Sequence, residues 1–453
     1  MNHAPVVVLR MGTHAEKEYF RKIVHLIDGL ILGANLMEST SGATASLIVA
    51  MCGDKRSTPY FLDPMTYAFG TYVDRSTTSV RSDLDWLKSE RQEKGKKESF
   101  RETKRSYKNL SKALGDPFEA AVRNGKALVP SDFASSKVVD DVTRAVVNYQ
   151  LDRVREEVEK DSEYHSYSAS VPKPAAVFAP YFYCEPAVAD AWLTANVSFA
   201  RSAANLKPDV PVHAVLCLDA DALKNSNLLS RIRTELPGSG VQGVWLWFSR
   251  LLEDEAEVAT LVALRDLVAD LSVSTKVYNM HGGYFSLALS RVGLTGISHG
   301  VGYGEQKNVV PVIGQALPTV RYYLPAAHKK LGVPDIERCF RAFGVESPAD
   351  FYAKVCDCVV CRGIVAKDLS EFRAFGEMQP AASGGPKLVQ SPSAAKRCRF
   401  HFLVRRLKER DEMGRLTISQ LQEGWDAAVL SWGQQPSLTE STKHLLRWRS
   451  AIK

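Results

Sequence analysis

Long apolar runs are missing from this sequence. Nowhere in its 453 residues do about eighteen apolar residues follow one another, so no segment reads as a membrane-spanning helix. The stretch from Met1 to Gly12 also lacks a basic region followed by an apolar core and a small-residue cleavage site, the marks of a secretory leader. A soluble, unexported, cytoplasmic protein with no membrane partner is therefore expected. Cysteine is scarce, with eight residues, and three of these fall within residues 356–361. That distribution excludes a secreted disulfide framework and reads as a metal site plus scattered core thiols. No internal repeat is visible. What remains is an ordinary globular composition, 45% hydrophobic and 24% charged. The length suits one large domain with insertions, or two or three ordinary ones. A net charge of +7 favours an anionic partner, although a whole-chain average is weak evidence of one.

Short apolar runs rich in β-branched and aromatic residues alternate with segments of helical periodicity. Strands are predicted at 6–9, 29–36, 60–63, 175–183, 212–219, 241–249, 276–282, 296–300 and 319–324, with helices at 14–27, 187–205, 253–271 and 284–292. About eight such repeats argue for a parallel sheet closed into a (β/α)8 TIM barrel spanning 1–335. An open doubly wound sheet gives similar alternation. Barrel enzymes assemble their chemistry at the C-terminal strand ends, and several runs end in polar or glycine-rich residues: Asp63, Asp219 with Asp221, Ser249, His281 to Gly283, and His299.

Two stretches interrupt this pattern. Residues 74–170 are mostly charged and helical, and 86–109 carry Lys96, Lys97, Lys104 and Arg105 among other bases. They read either as a solvated helical face or as a basic arm that tracks phosphates. Residues 377–395, rich in Pro, Gly, Ser and Ala, are expected to form a flexible loop within a C-terminal subdomain at 336–453. Behind that loop lies a second basic run, which includes Arg405 and Arg406.

Cys356-Asp357-Cys358-Val359-Val360-Cys361 puts three thiolates on one tight turn, a spacing that chance seldom produces. A closed, all-protein, tetrahedral set holds a structural zinc ion. Cys398 and His401 are the candidates for fourth ligand. His401 is preferred because it opens an apolar and basic helical stretch at 402–408 that can fix its ring.

With this cluster in place, the chain resembles the tRNA-guanine transglycosylase superfamily, whose barrel ends in three cysteines at this spacing and a later histidine. Tyr278-Asn279-Met280-His281-Gly282-Gly283, with its following helix, is similar to the family's Tyr-Leu-Met-Gly-Val-Gly strand and helix. Leu62-Asp63-Pro64-Met65-Thr66-Tyr67 stands where the family has an aspartate followed by Ser-Gly-Gly-Phe. The wording of 61–66 is closer to the DNA-guanine transglycosylases of bacterial and phage DNA-modification clusters.

The resemblance implies exchange of guanine for a 7-deazaguanine such as preQ0 in DNA, or in tRNA, together with partner proteins of such a cluster. A carboxylate suits this work because it can form a reversible glycosyl ester, while a second handles the purine proton. By position, the likeness makes Asp63 a catalytic carboxylate, with Asp219, Asp221, Glu305 and His299 as further catalytic candidates. It places Tyr67, Phe69, Ser249, His281, Gly282 and Gly283 around the base. Lys96, Lys97, Lys104, Arg105, Arg405 and Arg406 are the candidate phosphate contacts. The chain departs from the family at the nucleophile, because Gly296 to Glu305 contains no aspartate. A non-catalytic, nucleic-acid-binding accessory subunit of the same superfamily is the alternative.

Overall fold

The computed structural model describes residues 4–53, 58–71, 105–160, 171–302, 304–309, 319–381, 387–436 and 438–453. Lys96, Lys97 and Lys104 lie outside them. Eight strands form one sheet in the order β3-β2-β1-β8-β7-β6-β5-β4. They are β1 (Val6–Met11), β2 (Gly29–Gly33), β3 (Tyr60–Asp63), β4 (Val177–Phe178), β5 (Val212–Asp219), β6 (Gly243–Ser249), β7 (Lys276–Asn279) and β8 (Leu294–Gly300). Every neighbouring pair is parallel. The first and last strands pair directly, Val6 opposite Gly296 through Arg10 opposite Gly300, which a doubly wound open sheet does not do.

The sheet is a nearly closed barrel. Between β3 and β4 the ladder gives way to a backbone bond from Ala175 N to Tyr60 O at 2.8 Å. Strand β4 is only two residues long, and a side chain serves its backbone: the Gln150 amide accepts from Phe178 N at 2.7 Å and donates to Phe178 O at 2.8 Å. Gln150 is supplied by the long helix Ser136–Lys160. Strands β2, β5 and β6 are buried at every position because helices cover the outside while side chains fill the inside. The interior is packed, not hollow. Phe61, Phe178, Trp245 and Tyr278 form a layer of rings, with Trp245 stacked 4.4 Å from Tyr278 and its Nε1 donating to His213 Nδ1 at 3.0 Å. Two residues further along β3 and β6 stand Asp63 and Trp247, at the C-terminal mouth.

The predicted strand at 319–324 is not part of the barrel. Tyr322–Leu324 (β9) pairs antiparallel with Lys329–Leu331 (β10) as a hairpin. This hairpin joins a second core containing Val320, Tyr322, Phe340, Phe351, Phe372, Phe375, Trp432 and the cluster cysteines. The expected flexible loop also contains order. Met378–Pro380 (β11) and Leu388–Gln390 (β12) pair antiparallel, and the Ser391 hydroxyl bonds Glu377 at 2.9 Å before capping the helix Pro392–Met413. Backbone pairing between 378–380 and 388–390 overrides the loop-forming composition. The last helices, Ile418–Ser431 and Thr439–Ala451, return to the barrel, where Trp425, Leu445 and Trp448 join its core. The described part of the charged interruption is helical, at Arg105–Leu114, Phe118–Asn124 and Ser136–Lys160. Among the described residues, no helix is long and apolar enough to cross a membrane.

Candidate active site and metal centre

Cys356, Cys358, Cys361 and His401 are buried, and their ligand atoms all lie within 4.8 Å of one another. The local sequence makes this possible. Cys358 caps the helix Val359–Ile364, its sulfur accepting from Cys361 N at 3.4 Å, while Cys358 N donates to the Cys356 sulfur at 3.5 Å. His401 comes from the facing helix Pro392–Met413. Its Nε2 donates to Tyr323 O at 2.7 Å, which leaves the Nδ1 lone pair aimed at Cys358 and Cys361 Sγ, 3.3 and 3.4 Å away. A backbone carbonyl fixing the outer nitrogen is the usual support for a metal-ligating histidine. Hydrogen bonds with the Cys356 and Cys361 sulfurs hold the Cys358 thiol down at about 3, while burial pushes Cys361 well up. Three sulfurs this close cannot all ionise without a cation between them, and the donor set of three sulfurs and one imidazole nitrogen fits a divalent cation. Cys398 is not part of the set; its sulfur donates to Phe375 O at 3.2 Å.

At the barrel mouth, two carboxylates are tied together by one segment. After β4 the chain runs extended, and Tyr181 and Tyr183, two residues apart, turn the same way. Tyr181 donates its hydroxyl to Asp63 Oδ1 and Tyr183 donates to Asp219 Oδ2, each at 2.7 Å. Asp63 is fully buried and also accepts from Met65 N at 3.0 Å and Arg10 Nη2 at 2.8 Å. Burial works to lower the Arg10 pKa, but Asp63 raises it on balance. Asp219 accepts from Arg250 Nε at 2.9 Å and Nη2 at 2.5 Å, and it caps the turn that follows through Asp221 N at 3.0 Å. Burial would raise the Asp219 pKa, yet Arg250 and the other donors keep it below the ordinary value. Arg250 is 57% exposed and Asp221 61%, so this side of the mouth meets solvent.

Of the predicted base contacts, Tyr67 is at the mouth, with its ring 4.9 Å from Trp247 and 5.5 Å from Tyr181. His281 is there too, 4.9 Å from the Trp247 ring. Phe69 is not, since it packs on Tyr107 and Phe118 in the core. Ser249 holds the loop after β8, its hydroxyl accepting from Val309 N at 3.1 Å. Gly282 and Gly283 serve close packing. A Cβ on Gly282 would meet Ile297 and Ser286 at 2.9 Å, and one on Gly283 would meet Glu253 Oε2 at 2.7 Å.

Two other catalytic candidates sit in a structural network. Glu305 bonds Lys330 through Oε2 and Arg406 through Oε1, each at 2.5 Å. Burial would raise its pKa, but Lys330 and Arg406 hold it at about 2. His299 is fully buried, with its ring 5.2 Å from Phe402, and burial and the Arg406 charge lower it to about 4. Arg406 itself is fully buried, and Arg405, 8% exposed, lies 4.0 Å from Asp357. Nearby bases on the same helix are also engaged within the fold, Lys396 with Glu18, Lys408 with Asp357 and Arg410 with Asp28. Arg105 is exposed at its helix start.

Sequence reasoning missed Arg10, Tyr181 and Lys307. Trp247 is fully buried in the core, with Lys307 Nζ 5.3 Å above its ring. Its own Nε1 donates to Lys307 O at 2.7 Å. Lys307 Nζ reaches Tyr67 OH at 3.4 Å, and burial and the Arg10 charge push its pKa down to about 8.

Fold and site together define a parallel α/β barrel of TIM type with a buried Cys3His cluster beside it. No family model and no curated protein matches the chain.

Proposed function

We propose that this protein is a guanine transglycosylase that exchanges guanine for a 7-deazaguanine base in nucleic acid, with DNA as the substrate, and that its Cys3His cluster holds a structural zinc ion. The cluster is the observation that carries this reading, because it joins the resemblance in sequence to a ligand geometry beside a barrel whose mouth holds two carboxylates. Zinc matches three thiolates and one imidazole, and it would be held by the sulfurs of Cys356, Cys358 and Cys361 and by Nδ1 of His401.

Asp219 is the carboxylate assigned to C1′, since its partner Arg250 is exposed and can swing aside. Its oxygen would form the C1′–O bond as the C1′–N bond breaks, the departing guanine keeping that electron pair. The incoming base then reverses the step. Across the exchange, the departing guanine gains the one ring proton that the incoming base gives up. Asp63, fixed by Arg10, Tyr181 and Met65, supports the floor of the site.

Intact-mass analysis of protein quenched with DNA tests the assignment. An adduct is expected in the wild type and in Glu305→Gln, and none in Asp219→Asn. An adduct retained in Asp219→Asn would clear Asp219. The engagement of both Glu305 oxygens by Lys330 and Arg406 favours a second reading, a non-catalytic subunit that binds nucleic acid for partner proteins of a DNA-modification cluster. A chain that acts on tRNA instead would show the same adduct with that polymer.

A further inference from the structure

Three segments far apart in sequence meet at Glu305. The loop after β8 supplies Glu305 itself, the hairpin β9–β10 supplies Lys330, and the helix Pro392–Met413 supplies Arg406. Lys330 Nζ holds one carboxylate oxygen and Arg406 Nη2 the other, each at 2.5 Å. Both clamps lead back to the metal centre. Lys330 stands opposite Tyr323 in the hairpin, and the Tyr323 carbonyl accepts from His401 Nε2 at 2.7 Å. The Tyr323 hydroxyl donates to Glu409 at 2.9 Å, and Glu409 Oε2 lies 3.3 Å from Arg406 Nη1, on the helix that carries His401. Arg406 and Glu409 are buried, so moving either one strands a desolvated charge. On its other side the loop is pinned to the end of β6. Trp247 Nε1 donates to Lys307 O at 2.7 Å, Val309 N to Ser249 Oγ at 3.1 Å, and Arg250 N to Asn308 Oδ1 at 3.1 Å. Arg250 has a φ of 66°, a left-handed backbone that a residue with a side chain keeps only where its neighbours impose it. Asn308 imposes it here, and the guanidinium is thereby brought onto Asp219 at 2.9 and 2.5 Å.

We infer that Glu305 is a positioning residue through which occupancy of the Cys3His centre seats the loop 304–309 and, with it, the grip of Arg250 on Asp219. A cation fixes His401 against the cysteine turn. In its absence, contacts of 3.3 and 3.4 Å between Nδ1 and the sulfurs of Cys358 and Cys361 hold the helix there less firmly, and a shift of the helix carries Arg406 with it. Coupling between distant sites needs an element with two arrangements that both sites bias. Arg250 is that element: left-handed and clasping Asp219 while Asn308 is in place, relaxed and released when the loop moves. The inference rests on the zinc reading of the cluster and is independent of base exchange.

The test is hydrogen–deuterium exchange of the full-length protein, read at the Arg250 and Val309 amides by mass spectrometry with electron-transfer fragmentation, with metal analysis of every sample. Both amides donate across the junction between loop and strand, so their exchange reports whether the loop is seated. In zinc-loaded wild type they are expected to exchange at least about tenfold more slowly than after a chelator removes the zinc, while amides within β5 and β6 keep their protection. Glu305→Ala should exchange fast at both amides with zinc bound. Glu305→Gln, which keeps an acceptor, should retain part of the protection, a graded rescue that packing alone would not give. If removing zinc also opens β5 and β6, the zinc-loaded Glu305→Ala protein decides: fast exchange confined to Arg250 and Val309 supports the coupling. Protection at the two amides that survives Glu305→Ala, or that survives zinc removal from a folded chain, overturns the coupling while the zinc reading stands. A folded wild type that holds no zinc removes both.

Discussion

Replacing Asp63 by alanine removes one carboxylate from three partners at once: Arg10 Nη2, the Tyr181 hydroxyl and Met65 N. Breaking a buried ion pair from one side costs about 3–5 kcal/mol, since the remaining charge stays desolvated. Arg10 is 12% exposed and recovers some hydration, which places this part near about 3 kcal/mol. The stranded tyrosine hydroxyl and backbone N–H add about 1–2 kcal/mol together, less than the sum of two isolated losses because the groups share one network. The variant should therefore lose about 4–5 kcal/mol, a large part of the roughly 5–15 kcal/mol that holds a typical domain together. Urea unfolding followed by tryptophan fluorescence reports this directly, as Trp245 and Trp247 are buried around the site. Asp63→Asn keeps an acceptor for Tyr181 and Met65 and should lose about half as much. The double variant Asp63→Ala with Arg10→Met removes the stranded charge and should recover about 2 kcal/mol or more relative to additivity. If Asp63→Ala unfolds within about 0.5 kcal/mol of wild type, the ion pair is not formed in solution and the packed-mouth argument fails.

Metal analysis should find about one zinc per chain, and Cys358→Ser should release it and lower the unfolding midpoint, since binding to a closed site is coupled to folding; a folded, metal-free wild type would contradict this. Glu305 is held at about 2, so its pairing with Lys330 and Arg406 is fully present above its ordinary 4.5 and is lost as pH falls through 2. Glu305→Gln should accordingly be less stable than wild type at pH 7, with the gap closing between pH 4.5 and 2 in denaturation curves. Lys307 has the opposite sense. With a pKa lowered to about 8 from 10.5, its ammonium disfavours the folded state at neutral pH, and that penalty fades as pH rises from 8 to 10.5. Wild type should gain stability relative to Lys307→Met across that window, and parallel curves would show that Lys307 is solvated. Gly283→Ala drives a Cβ to 2.7 Å from Glu253 Oε2 and should destabilise by about 1–3 kcal/mol, measured by the same unfolding assay.

The barrel was legible where an apolar run stops on a polar residue. Residues 60–63 end on Asp63 and 212–219 on Asp219, and both strands have the predicted bounds. The run 175–183 is equally apolar, but only Val177 and Phe178 pair as a strand. The rest is drawn across the mouth by the Tyr181 and Tyr183 hydroxyls, a long-range demand that periodicity does not encode. The Cys3His cluster was readable because its cysteines are close in sequence and His401 lies on a regular helix. Arg10 left a signal that went unused: a charge inside an apolar strand needs a counterion, and Asp63 ends the strand two places over in the sheet. Lys307 left none, since it sits in a polar loop whose course depends on Trp247, Ser249 and Arg250. The basic run near Arg406 reads as a phosphate surface because its acidic partners are scattered through the chain, Glu305 a hundred residues upstream and Asp28 in the first loop.

The measurement that tests the central claim most directly is incorporation of radiolabelled guanine into duplex DNA by the purified, zinc-loaded wild-type protein, with tRNA in a parallel reaction. The account predicts label in DNA without strand cleavage, and its loss in Asp219→Asn. Absence of label from both polymers, with the protein folded, metal-loaded and supplied with its partner proteins, would contradict base exchange and leave the binding-subunit reading in its place.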